Sequence, residues 1–310
     1  MVWKQPPARH LMIIDMTKLW AMFIAALLLL GTCFIERADA LEIVRLDQGG
    51  IPQATAIGSG NLEDIFNAAA DHWEHAIQDD HTILLKFGWA PVGGGLHTLN
   101  RQGGIPNRET EGTILFNNNT NARNFQWWLD PTPYDHEEFQ SYAENTQNLG
   151  GGTLVVSRVY SNPVGDYSKG TYIDLFSVAL HEIGHALGKS LANHNWTPMA
   201  KDGSIKITAP RPFLGTTIPL ATNKHGVTNH MHPIKIHGQP VMGSTQAQTR
   251  QLLSVLDILA NAQLSEFTQL NFNPPDLVHT ASRMASTKRM DFRSLDRNWS
   301  SSSARPSDNS

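Results

Sequence analysis

The sequence predicts an α+β fold in a single domain. Three stretches with helical periodicity alternate with short apolar stretches and loops, so the predicted order is helix, strands, helix, loops, helix. Hydrophobic residues make up 40% and aromatic residues 8% of the 310 residues, enough to bury a sizeable core. The formal net charge of −4 excludes the strongly basic surface that binding to nucleic-acid phosphates requires.

The chain begins with the features of an export signal. An apolar run covers Leu19–Phe34, Lys18 precedes it, and Ala38 and Ala40 supply the small residues that signal peptidase reads. We therefore expect residues 1–40 to be a signal peptide and the mature protein to be secreted, extracellular or periplasmic, with no membrane attachment. The alternative is an uncleaved anchor, although the run is shorter than the roughly 20 residues that a membrane span needs.

The cysteine content bears on how the mature chain is stabilised. Cys33 is the only cysteine and lies in the apolar run, so cleavage of the signal peptide would remove it. A mature chain without cysteine has no disulfide and must be stabilised by its core or by metals. It also offers neither a cysteine nucleophile nor a thiolate ligand for zinc.

The first helix is predicted over Asn61–Gln78, where seven apolar residues recur on one face with a period of 3.6 residues. Short apolar stretches predict strands over Thr82–Trp89, Thr113–Phe116 and Thr153–Tyr160. The three glycines of Gly93–Gly95 are expected to end the first of these strands, because glycine is a strong breaker of regular structure.

The second helix is predicted over Asp174–Leu187, which is apolar nearly all round and therefore buried. A region rich in Gly, Pro and His follows, Gly188–Gly243, and it lacks helical periodicity. A third helix is predicted over Gln248–Phe267. The composition then becomes polar, so residues 276–310 are expected to be a disordered tail, which leaves 41–275 as the folded domain.

The second predicted helix carries the motif His181-Glu182-Ile183-Gly184-His185. Residues four apart lie on the same face of a helix, so both imidazoles can reach one ion while Glu182 stands beside it. Composition alone predicts about 0.02 such motifs in this chain, which has 14 histidines. We therefore predict one catalytic Zn²⁺ with His181 and His185 as ligands and Glu182 as the base. The alternative is a pair of hydrogen-bonded core histidines.

Gly188 follows His185 by three residues and completes an HExxHxxG segment. Glycine accepts a positive φ there, which lets the chain turn towards the ion. The segment resembles the active-site helix of the metzincin clan of zinc endopeptidases, and Val241-Met242-Gly243 resembles the methionine turn of that clan. The resemblance implies that 41–275 is a metalloprotease domain, with a twisted, mostly parallel sheet packed on the active-site helix, the methionine turn and a C-terminal helix.

The position of the third ligand departs from the short form of the motif. Metzincins commonly place it three residues after the glycine, where this chain has Leu191. Leishmanolysin-like members of the clan have a long insertion and a histidine shortly before the methionine. By this resemblance we expect the third ligand to be His230, twelve residues before Met242. His194 is the main alternative, because it needs an insertion of only three residues, and His232 is a further one.

Acidic residues offer weaker alternatives. No glutamate lies between Glu182 and Glu266 of the last predicted helix, so an acidic third ligand could come only from Asp202 or Asp257. Neither aspartate lies in a suggestive motif. Upstream, a WxLDxTP segment resembles one found in uncharacterised secreted bacterial metalloproteases; it comprises Trp127, Leu129, Asp130, Thr132 and Pro133. We expect packing to be its role. The alternative is a calcium site that uses Asp130, Asp135 or Glu137, although the spacing of these residues does not by itself indicate bound calcium.

The resemblance implies a secreted endopeptidase acting on protein or peptide substrates. Glu182 would take a proton from the water that attacks the scissile carbonyl and pass it to the leaving amine. All five tyrosines precede the motif, so the tyrosine that some metzincins place after the methionine turn is missing, and His225 or His232 could assist instead. The alternatives are a non-catalytic binding protein with a metzincin-like fold and a zinc hydrolase of a non-peptide substrate.

Overall fold

The computed structural model of the protein describes residues 40–119, 126–232, 240–244 and 246–273. Except for Ala40, the predicted signal peptide lies outside these ranges, and so does the predicted tail over 276–310. Within the same ranges, no helix combines the length and the apolar character that crossing a bilayer demands.

The described residues form a mixed α+β structure, as the sequence predicts. The helices are α1 (Leu62–Ala76), α2 (Leu175–Ala186), α3 (Trp196–Ala200) and α4 (Val255–Ser265), with a 3₁₀ helix over Gly165–Lys169. The strands are β1 (Leu41–Asp47), β2 (His81–Ala90), β3 (Gly95–Gly103), β4 (Arg108–Asn117), β5 (Gln126–Trp128), β6 (Phe139–Asn148), β7 (Thr153–Pro163), β8 (Tyr172–Asp174), β9 (Ser204–Lys206), β10 (Thr217–Asn223), β11 (Gly226–Met231) and β12 (Arg250–Leu252).

The largest sheet has four strands in the order β1-β2-β4-β3. β1 pairs with β2 and β2 with β4 in parallel, whereas β3 pairs with β4 antiparallel and forms one edge. The prediction of a mostly parallel sheet therefore holds for this sheet. It does not hold for the two three-stranded sheets, β11-β10-β9 and β12-β7-β6, whose strands are antiparallel.

Helices α1 and α2 pack against each other in the main core. Helix α1 begins after Asn61, whose side chain accepts a hydrogen bond from the backbone of Asp64, and its predicted apolar face is buried. The indole of Trp73 donates a hydrogen bond of 2.9 Å to the carbonyl of Leu180. Trp73 therefore fixes α1 against the centre of α2, the helix that carries the motif.

Helix α2 is buried along its whole length, including its three polar motif residues. Asp174 caps its N-terminus and also pairs with Arg250, which in turn pairs with Asp130. All three of these side chains are fully buried. Asp130 belongs to the WxLDxTP segment, so the segment packs against the beginning of α2, and its carboxylate is engaged by Arg250 rather than open to calcium.

The structure corrects the predicted start of the third helix. The prediction began the helix at Gln248, but α4 begins at Val255, and Arg250–Leu252 forms β12, which pairs with β7. The reason is a capping box in which the side chains of Ser254 and Asp257 each accept the other's backbone N–H. The apolar residues before Ser254 therefore face the core from a strand.

The glycines Gly93–Gly95 follow the end of β2, as predicted, and form a turn from which the chain returns as β3 along the sheet edge. The structure corrects one predicted loop. The region Gly188–Gly243, predicted without regular structure, contains α3 and the strands β9, β10 and β11. Ile205, Ile207 and Ile218 from this region are fully buried, so it contributes to the core.

We expect Arg250→Met to destabilise the fold, because it leaves the carboxylates of Asp130 and Asp174 buried without their cation. Breaking a buried ion pair costs about 3–5 kcal/mol. The free energy of unfolding in urea measures the loss. Arg101→Met is the control, since Arg101 is exposed and should change stability by less than about 0.5 kcal/mol. Equal losses in the two variants would contradict the role of Arg250.

Candidate metal centre

The motif histidines lie one turn apart on the buried face of α2. The rings of His181 and His185 have centroids 4.6 Å apart and are nearly perpendicular, at 89°. Their residues are only 6% and 5% exposed. Burying polar rings in an apolar helix costs free energy unless each nitrogen has a partner, so the partners define what the pair can do.

A backbone carbonyl holds the Nδ1 atom of each ring. His181 Nδ1 lies 2.7 Å from the carbonyl oxygen of Val241, and His185 Nδ1 lies 2.6 Å from that of Lys189. A carbonyl only accepts hydrogen bonds, so we assign the ring hydrogen to Nδ1 in both residues. Burial lowers the pKa of His181 to about 3 and that of His185 well below its usual range, so both rings are neutral.

This tautomer leaves two bare nitrogens facing each other. His181 Nε2 and His185 Nε2 are 2.9 Å apart, and each presents a lone pair. Two lone pairs at this distance repel, and neither ring has a second hydrogen with which to bridge them. A cation between the two nitrogens satisfies both, which is how backbone-supported histidines commonly serve as metal ligands.

His230 joins the pair from β11, as expected from the resemblance. Its ring is stacked on that of His181, with centroids 5.1 Å apart, and is perpendicular to that of His185 at 5.3 Å. One nitrogen from each of the three rings lies within 4.8 Å of the other two, so the cluster could hold a metal ion. Burial lowers the pKa of His230 to about 4, which keeps the third ring neutral as well.

The other candidate ligands lie elsewhere. His194 is exposed in the turn before α3, and His225 is exposed in the turn between β10 and β11. His232 is exposed, and its backbone N–H bonds to the carbonyl of Pro219. Leu191, at the position of the third ligand in the short motif, is 59% exposed. Across the described ranges, the three clustered histidines are the one set of metal-ligating side chains that lie close enough together.

Gly188 adopts the positive φ that the sequence predicts, and Met242 lies in a tight turn. Gly188 has a φ of 148°, in the region that favours glycine, and a side chain there would approach Ser265 Oγ. Met242 lies in a turn that closes with a hydrogen bond from Gly243 N–H to the carbonyl of Pro240, 2.9 Å long. Its thioether packs directly on Gly184, between the two motif histidines, where a Cβ atom would collide with it.

Glu182 lies against the edge strand of the main sheet. Its side chain is buried and contacts Gly95, the first residue of β3, where a Cβ atom would collide with the carboxylate. The backbone N–H of His97 donates a hydrogen bond to the same carboxylate. Burial raises the pKa of Glu182 to about 8, and the bond from His97 only partly offsets this rise. Without a cation nearby, burial therefore favours the protonated form of this carboxyl group.

Sequence reasoning missed the residues behind Glu182. His97 Nε2 lies 2.7 Å from the Glu109 carboxylate, both side chains are 4% exposed, and the His97 ring is 6.5 Å from that of His185. Gly112 leaves room for the pair, since a Cβ atom there would collide with Glu109. Burial raises the pKa of Glu109 to about 7. No local motif marks this pair, because β3 and β4 bring the two residues together only when they form a hairpin.

We expect Met242→Ala to lower the free energy of unfolding by about 2–5 kcal/mol, because it opens a cavity beneath Gly184. Met242→Leu keeps the volume and should cost less than about 1.5 kcal/mol. Urea unfolding of the metal-free proteins measures both changes. Small and similar losses for the two variants would show that the side chain of Met242 is not packed against α2.

Comparison with known proteins adds no relative. No protein-family model matches the chain, and no curated protein and no solved structure matches it either. The case for a function therefore depends on the geometry of the three histidines and Glu182. Membership of the metzincin clan remains a hypothesis that rests on the HExxHxxG segment and Met242.

Proposed function

We propose that the protein is a secreted, zinc-dependent endopeptidase with a metzincin-like fold. The observation that carries the proposal is the pair of bare Nε2 atoms in α2, only 2.9 Å apart, with a third neutral imidazole and a buried carboxylate beside them. If the two histidines were only packed in the core, we would expect one ring to be oriented so that its N–H donates to the bare nitrogen of the other.

The donor set suits zinc. Neutral imidazoles bind Zn²⁺ well, and three protein ligands leave a fourth position for water or substrate, as in catalytic rather than structural sites. In a tetrahedral site two nitrogens lie about 3.3 Å apart, so a separation of 2.9 Å needs only a small outward movement of the rings. When bound, zinc supplies Lewis-acid chemistry, polarising a carbonyl and lowering the pKa of water.

Glu182 would carry the proton. Its carboxylate is neither one of the clustered ligands nor open to bulk water, and the N–H of His97 holds one side of it. Its place in α2, one residue after His181, would let it take a proton from the attacking water and release that proton to the leaving amine nitrogen. In the described part of the chain, no lysine or histidine side chain bonds to this carboxylate.

The neighbouring sheet edge favours an extended peptide as the substrate. Among the strands of the described ranges, only β4 pairs with β3, and the β3 residues Gly95 and His97 touch Glu182. Between them, Leu96 is 45% exposed. A peptide that added to this edge as a further strand would lie with its backbone next to the base and the histidine cluster. This proximity supports the peptidase over a zinc hydrolase of a small substrate.

We expect Glu182→Gln to lower the rate of casein cleavage by about 10²–10⁴-fold while zinc content stays at the wild-type level. The amide keeps the shape of the side chain but cannot accept the proton. Zymography and elemental analysis of the purified mature protein measure the two quantities. Glu63→Gln, which changes an exposed residue of α1, is the control.

Other results would reject parts of the proposal. Full cleavage by Glu182→Gln would exclude Glu182 as the base. A wild-type protein that binds zinc but cleaves neither casein nor gelatin would favour the binding protein or the hydrolase of a non-peptide substrate.

We expect His230→Ala to lose bound zinc, because two imidazoles hold the ion much more weakly than three do. His194→Ala should retain one zinc per chain, since His194 is exposed and lies outside the cluster. Zinc stoichiometry after dialysis against a weak chelator distinguishes the variants. Zinc loss from His194→Ala alone would move the third ligand to that residue.

A further inference from the structure

The third histidine reaches the centre from far along the chain. The stretch between Gly188 and His230 leaves the site, forms α3 and two strands, and returns along β11. In the short motif the turn after the glycine itself delivers the third ligand, whereas here Leu191 at that position is exposed. Some other contact must therefore bring the returning strand to His181 and His185.

Lys189, the residue after Gly188, makes that contact. Its side chain is completely buried. Its Nζ donates a hydrogen bond of 2.9 Å to the carbonyl of Asn229, the residue before His230, and reaches the carbonyl of Met242 at 3.4 Å. The carbonyl of Lys189 is the group that accepts the Nδ1 hydrogen of His185, at 2.6 Å.

These contacts meet at a junction of three segments. Met231, which follows His230, donates its backbone N–H to the carbonyl of Met242 at 2.8 Å, the same oxygen that Lys189 approaches. The Asp257 carboxylate accepts the N–H groups of Val241 and Met242 at 3.2 and 2.9 Å. The amine of Lys189 thus contacts both the end of β11 and the methionine turn, and the carboxylate of Asp257 holds the turn.

The amine is expensive to bury for a purely structural purpose. Its hydrogen-bond partners are two backbone carbonyls, and the Asp257 carboxylate only partly offsets the cost of burying its charge. An apolar side chain of the same length would fill the space without that cost. In either protonation state the amine has at least two N–H bonds, enough for both carbonyls, so its role does not depend on its charge.

We propose that Lys189 is the positioning residue for the third metal ligand: by bonding the carbonyl next to His230, it sets that imidazole opposite the two histidines of α2. The inference rests on the proposed zinc centre. It assigns Lys189 no contact with the ion or with substrate.

The test is the zinc affinity of Lys189→Met, measured by titration against a chromophoric chelator. Methionine keeps an unbranched side chain of similar length but lacks the N–H donors. We expect zinc to bind about 10–100-fold more weakly, the loss typical when a group that supports a metal ligand is removed. Lys206→Met, at an exposed lysine of β9, is the matched control and should bind zinc as the wild type does.

A double-mutant cycle with His230→Ala separates positioning from a general structural effect. If Lys189 acts through His230, Lys189→Met should change zinc affinity less than about threefold in the His230→Ala background, measured at zinc concentrations high enough to fill the weakened site. The same fold loss in both backgrounds would overturn the inference. Thermal melts add a second readout: Lys189→Met should reduce the rise in Tm that zinc produces while the metal-free Tm stays near that of the wild type.

Each remaining outcome is decisive. Wild-type zinc affinity in Lys189→Met would overturn this inference and leave the metal centre intact, whereas a wild-type protein that binds no zinc would overturn both. If Lys189→Met fails to fold, Lys189→Gln, which keeps N–H donors on a shorter side chain, should show an intermediate affinity. An unchanged affinity in that variant would likewise overturn the role of Lys189.

Discussion

Two imidazole nitrogens that face each other without a hydrogen between them are the constraint on which the rest of the site depends. Each ring is locked by a carbonyl behind it, from Val241 for His181 and from Lys189 for His185. Because those carbonyls belong to different segments, the tautomers are fixed only when the methionine turn and the end of α2 are both in place. The fold thus places two nitrogen lone pairs side by side in its interior, where a cation would stabilise both.

Close packing makes that arrangement possible. Glycine occupies two positions where a neighbouring group approaches closely: Gly184 against the thioether of Met242, and Gly95 against the Glu182 carboxylate. The first contact sets the depth of the helix above the turn, and the second sets the position of the base along the sheet edge. Any side chain at either position would move a group that the proposed chemistry uses.

The sequence predicted the parts of the site that local spacing determines. The helical motif, the glycine that ends it and the methionine turn are all readable because each is a pattern within a few residues. His230 was chosen over His194 by resemblance alone, since spacing cannot say which path a forty-residue excursion takes. Lys189 and the pair His97–Glu109 were not predicted, because their partners are distant in sequence. The start of α4 was missed although its capping box was present at Ser254–Asp257.

The segment between Leu191 and Asn229 separates this chain from the short form of the motif, in which the third ligand follows the glycine by three residues. It is not a loop laid over a finished protein, because Ile205, Ile207 and Ile218 are fully enclosed by the main core. Trimming it away and placing a histidine at Leu191 would leave a hole where those isoleucines sit and a ligand pointing into solvent. The longer route is therefore built into the architecture, and the two forms are not interchangeable by a simple deletion.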